Sequence, residues 1–101
     1  MTNSPLRKII AHFGDMNQIF KLMEELAELI RALAIAIARH GLNPDSILGD
    51  KEVQTEMVDV VLLLKQFGTI GWLQIAMNQE AEVKIDRTIE RIESGYYKEA
   101  I

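Results

Sequence analysis

Apolar residues recur at Ile19, Met23, Leu26, Ile30, Leu33 and Ile37, at alternating spacings of four and three. A strand repeats every two residues and cannot sustain that period, so the stretch commits the chain to a long amphipathic helix. The stripe predicts the buried face of that helix. At about 100° per residue, Glu24, Glu25 and Glu28 fall on the opposite side. That side is not uniformly polar, because it continues through Ala32, Ile35 and Ala36 to Arg39. The carboxylate side is therefore expected to be partly covered as well, by another helix or another subunit. Three carboxylates crowded near a covered surface repel one another and call for a cation.

The rest of the chain reads as helical too. Ser4-Pro5 predicts a helix start, with a short helix to Phe13 that ends at Gly14. Asp15 is the expected N-cap of the long helix, which runs to His40 and stops at Gly41. Asn43-Pro44-Asp45 opens a turn or a single helical turn closed by Gly49, and Asp50 caps a second long helix over 51–67. Val53, Met57, Val60, Val61 and Leu64 form its expected core face. After a break at 68–71, a third helix is expected over 72–94, then Gly95 and a tail over 96–101. Met16, Met23, Met57 and Met77 read as core filler, and Trp72 as core or interface. The expected fold is all-α. It is a single domain over 1–101, an antiparallel bundle of three main helices plus a short N-terminal helix, assembled as a dimer-based four-helix-type bundle.

Composition narrows the functional classes. A formal charge of −4 argues against general nucleic-acid binding, which draws its affinity from basic surface. With no cysteine there is neither a disulfide framework nor a thiolate metal site. The longest apolar run, 32–38, is about a third of the ~20 residues that a membrane span requires. The N-terminus has no signal-like apolar core, so a cytoplasmic location without membrane association is the expectation.

The second long helix supplies a second acidic group. Glu56 and Asp59 are three apart, hence neighbours on one face, and Glu52 lies one turn earlier. Asp59 heads the aliphatic run Val60-Val61-Leu62-Leu63-Leu64. Charged residues in such a setting are rarely buried unless paired or ligating. If the two long helices pack antiparallel, Glu25 and Glu28 face Glu56 and Asp59. Four carboxylates with no His or Cys make a hard oxygen site, suited to Mg²⁺ or Mn²⁺. His12 and His40 stand in no Glu-x-x-His pattern, which discounts a di-iron centre.

Glu24-Glu25-Leu26-Ala27-Glu28 followed by Glu56-Met57-Val58-Asp59 resembles the EExxE…ExxD signature of the MazG-like all-α nucleoside triphosphate pyrophosphatases. Lys84-Ile85-Asp86-Arg87 resembles their later K-x-x-R segment, and Glu90-Arg91-Ile92 its continuation in short, phage-type members. The resemblance covers residues 21–93. It implies Mg²⁺-dependent (Mn²⁺ possible) cleavage of a (d)NTP between the α and β phosphates, giving (d)NMP and pyrophosphate, a house-cleaning hydrolase of the nucleotide pool. Glu25, Glu28, Glu56 and Asp59 would ligate metal, and Glu24 would orient or deprotonate the water. Lys84 and Arg87, assisted by Arg91, would balance phosphate charge. Asn17 and Lys21 lie on the line of Glu24 and Glu28 and would touch base or phosphate. Ile35, Val58 and Leu62 lie off the expected core faces, so a homodimer at least is expected, with these three buried by subunit or inter-helix contact; the resemblance likewise implies a homodimer or dimer-of-dimers tetramer. The competing reading is a non-catalytic helical oligomer, or a nucleotide-binding module with a vestigial metal site. In the plainest reading, Glu24, Glu25 and Glu28 are a solvated helix face, and Lys84, Arg87 and Arg91 pair with Glu80, Asp86 and Glu90.

Overall fold

A computed structural model describes residues 4–98, and within them all regular structure is helical. The elements are α1 (Pro5–Phe13), α2 (Asp15–His40), α3 (Pro44–Leu48), α4 (Lys51–Phe67) and α5 (Gly71–Glu93). The chain divides into two compact units, Met1–Thr69 and Ile70–Ile101. The first holds α1–α4. The second holds α5, which carries no buried residue, and the turns that follow it to Lys98. Of the expected tail over 96–101, residues 99–101 lie outside the described part.

Local chemistry accounts for the boundaries. The Ser4 hydroxyl accepts from the Arg7 amide at 3.2 Å, and Pro5 opens α1 where no amide donor is needed. Asn43 caps α3 by accepting from the Ser46 amide. Asp50 caps α4 by accepting from the Glu52 amide at 3.0 Å. Its other oxygen takes Arg39 at 3.2 Å and the His40 ring at 3.1 Å, so one carboxylate fastens the end of α2 to the start of α4. The His40 contact leads the causes that hold the Asp50 carboxyl below its ordinary value. Two helices differ from expectation at their boundaries: α5 runs Gly71–Glu93, one residue earlier at each end, and Asp15 is the first residue of α2 and not its cap. Gly14 takes the cap position at φ 90°, ψ 148°, where the chain turns between α1 and α2. Asn17 bridges the same break by donating its side-chain amide to the Phe13 carbonyl at 2.7 Å.

The first unit is organised on the antiparallel pair α2 and α4, its most extensive contact, with α1 and α3 against both. The buried side of α2 is not the expected one. Its buried residues are Gln18, Glu25, Ala32 and Ala36, close to a seven-residue repeat. The stripe Ile19, Met23, Leu26, Ile30 and Ile37 is exposed, Ile30 to 69%, and Leu33 alone is half-buried. Met16 and Met23 are exposed too, and so are Met77 and Trp72 in the second unit. Only Met57 of the expected methionine filler packs against the core. On α4 the buried residues are Val53, Val60, Leu63, Gln66 and Phe67, while Val61 and Leu64 are exposed. Small side chains explain the choice of face. Ala32 and Ala36 let α2 approach Val53 closely, and Leu33, Ile47 and Met57 close around that contact. The acidic side of α2 is thus covered by another helix, one of the two coverings expected for it.

Gly14 and Gly71 test the backbone argument as a pair. An added Cβ would meet nothing within 4 Å at either position, but only Gly14 has positive φ. Gly14→Ala is expected to lower the unfolding free energy by about 1–3 kcal/mol, the cost of a glycine-only conformation. Gly71→Ala, inside a helix, should be neutral or stabilising. Urea denaturation of both variants checks this, and equal stabilities would overturn it.

Candidate metal centre

Helix α2 presents Gln18, Lys21, Glu25 and Glu28 along one side, and α4 presents Glu56, Asp59, Leu63 and Gln66 towards it. A single antiparallel register joins them. Gln18 lies opposite Gln66, Glu25 opposite Asp59, and Glu28 opposite Glu56. One oxygen from each of Glu25, Glu56 and Asp59 lies within 4.8 Å of the others, and the same holds for Glu24, Glu25 and Glu28. Glu25 belongs to both groups and is only 5% exposed.

The electrostatics of the cluster are unbalanced. Lys21 is its one ion-paired cation among the described residues, at 2.9 Å from Glu24 and 3.2 Å from Glu25. These contacts push the lysine well above its ordinary range, Glu24 contributing most. They satisfy one oxygen of Glu25 and leave the other, Oε2, buried with no hydrogen-bond partner. Glu56 Oε2 is buried and unpartnered in the same way. Desolvation, followed by repulsion from Glu28, Glu25 and Asp59, raises the Glu56 carboxyl above its ordinary value. Two buried oxygens without partners, in residues whose carboxylates approach within 4.8 Å, suit a divalent cation, and the all-carboxylate donor set suits a hard one.

Two clefts flank the cluster. One of about 280 Å³ is lined by Gln18, Lys21, Glu25, Asp59, Leu62, Leu63 and Gln66. The other, about 180 Å³, is lined by Glu28, Arg31, Ala32, Ile35, Glu52 and Glu56. Glu25, Glu56 and Asp59 therefore sit buried or half-buried between two openings, while Glu24 and Glu28 are exposed.

The remaining site candidates fall elsewhere. Glu24 is exposed at the rim. Asn17 is exposed and spent on the α1 carbonyl. Lys84, Arg87 and Arg91 share one face of α5 in the second unit. Among the described residues none of them pairs with Glu80, Asp86 or Glu90. Arg91 instead stacks over the Tyr96 ring, 4.7 Å from its centroid. Three residues of the clefts, Gln18, Gln66 and Arg31, escaped the sequence reading. A signal for the first two existed, since Gln18 precedes Glu25 by seven residues and Gln66 follows Asp59 by seven. The chain matches no protein-family model, no curated protein and no solved structure.

The raised Glu56 carboxyl has a consequence for stability. Between its ordinary value of 4.5 and its higher folded value, the folded chain holds more protons than the unfolded one. Stability then falls as pH rises through that window. Glu56→Gln is expected to melt higher than the parent at pH 7 without divalent ions, with a flatter melting profile from pH 4.5 upward. Mn²⁺ should raise the parent's Tm and leave the variant's nearly unmoved. Scanning calorimetry decides, and a variant that melts lower than its parent at pH 7 would count against the buried-repulsion account.

Proposed function

We propose that this chain is a Mg²⁺- or Mn²⁺-dependent nucleoside triphosphate pyrophosphohydrolase of the MazG-like all-α kind. The observation that carries the reading is the meeting of Glu25 with Glu56 and Asp59 across the α2–α4 seam, with two buried oxygens unpartnered. A solvated helix face would place these oxygens in water, and a structural ion pair would leave none orphaned. Lys21 neutralises too little of the cluster for a structural role to suffice, because one ammonium stands against five carboxylates.

Glu25, Glu28, Glu56 and Asp59 would hold the cation, whose chemistry there is neutralisation of phosphate charge and acidification of water. Glu24, exposed at the rim, accepts a proton from the attacking water. The same cation would oppose the carboxylate repulsion that raises Glu56 above its ordinary value. Lys21 answers charge at the open side of the larger cleft. The resemblance also gives Lys84 and Arg87 on α5, assisted by Arg91, the part of balancing phosphate charge.

Assembly follows from the exposed stripe. Ile19, Met23, Leu26, Ile30 and Ile37 form an apolar face along a helix of 26 residues, with Val58 and Leu62 exposed on α4. A face of that kind is normally covered in a soluble protein. Burying each large side chain is worth about 1.5–3 kcal/mol. A two-fold homodimer covers it most simply. Light scattering at micromolar concentration is expected to give at least twice 11.5 kDa. A monomer would refute the assembly.

Activity is tested with a panel of NTPs and dNTPs and Mg²⁺, with pyrophosphate as the measured product. Asp59→Asn should reduce turnover by about 100-fold or more while keeping the helical circular dichroism, since a ligand is lost and repulsion is relieved. Full activity in that variant, or no pyrophosphate from any nucleotide with the parent protein, would overturn the assignment.

A further inference from the structure

Gln18 and Gln66 are 7% and 5% exposed, and they bond to each other at 2.7 Å, from Gln18 Nε2 to Gln66 Oε1. A pair of buried amides is an expensive way to fill a helix seam. Two glutamines offer four N–H donors and two carbonyl acceptors, and one mutual bond uses a single donor and a single acceptor. Apolar side chains of the same shape would pack there at no such cost. What the mutual bond leaves over includes an acceptor, Gln18 Oε1, and a donor, Gln66 Nε2.

Both residues line the 280 Å³ cleft that also contains Glu25 and Asp59. They stand seven residues from those carboxylates on each helix, which is about 10 Å along the axis. The cleft between them has Leu62 and Leu63 as its apolar wall. An acidic end, an apolar wall and an amide end in that order match a nucleotide laid along the seam. Its phosphates sit at the cation, its sugar against the leucines, and the hydrogen-bonding edge of its base at the amides. Adjacent acceptor and donor groups recognise the adjacent donor and acceptor of a base edge, as glutamine does in nucleic-acid readout.

We propose that the Gln18–Gln66 amide pair is the subsite that reads the base of the nucleotide. This inference rests on the nucleotide reading above. The test is calorimetric titration in Mg²⁺ with non-hydrolysable α,β-imido analogues of dUTP, dCTP, dATP and dGTP, and with inorganic tripolyphosphate. The parent protein is expected to bind its best analogue at least about tenfold better than its weakest, the scale of one well-placed amide–base contact. In Gln18→Met, Gln66→Met and the double variant, which keep the shape and lose the polar groups, that ratio should fall to within about twofold. Tripolyphosphate affinity should stay unchanged. Base preference that survives in the double variant, or equal binding of all four bases by the parent, overturns the inference alone. If the parent binds neither nucleotide nor tripolyphosphate, the nucleotide reading fails and this one with it.

Discussion

Carboxylates from two helices are pressed together in the seam between α2 and α4, and the first unit has to be built around their repulsion. Isolated ions taken out of water cost several kcal/mol each even after relaxation. A fully buried Val or Ile side chain returns only about 1.5–3 kcal/mol. The few large residues that are fully buried here, Ile10 and Val53, leave little margin for a decorative cluster. Lys21 relieves part of the strain, and protonation of Glu56 relieves another part at low pH. Lys21 reaches neither of the orphaned oxygens. A cluster retained at such cost is more economically explained by what it binds than by what it stabilises.

The two acidic motifs were legible in the sequence as a site because their meaning depends on spacing. Glu25 with Glu28, and Glu56 with Asp59, each lie one helical turn apart, and an antiparallel pair brings them face to face. The helix ends were legible for a similar reason: Ser4, Asn43, Asp50 and the glycines act through local geometry. Gly14 in place of Asp15 is a shift of one residue, decided by a φ of 90° that aspartate adopts at a cost.

The face of α2 that turns inward was not legible. Hydropathy assigns the widest apolar stripe to the core, and by that rule Ile19, Met23, Leu26 and Ile30 belong inside. The competing seam is written in Gln18, Glu25, Ala32 and Ala36, two of them polar and two small. Its advantage is close approach of backbones, which a hydropathy pattern does not register. A helix with one side for its own chain and another for a different surface shows two stripes, and the larger need not be the intramolecular one. The same ambiguity affected α4, where Val61 and Leu64 were expected inside and Leu63 and Phe67 are found there. Gln18 and Gln66 were missed because the seven-residue offset that ties each to a carboxylate is informative only once the register of α2 against α4 sets one opposite the other.

That register divides the seam into zones. At the end where α2 finishes and α4 begins, Ala32, Ala36 and Val53 pack under Ile47, and Asp50 ties Arg39 and His40 to the start of α4. At the other end α1 packs on both helices with Ile10 fully buried. Between these two apolar clamps lie the residues that would separate if left alone, namely Glu25, Glu28, Glu56 and Asp59. Repulsion in the middle is therefore opposed at both ends, by groups that take no part in the site's chemistry. A donor set held apart from its own preferred relaxation is preorganised for a cation.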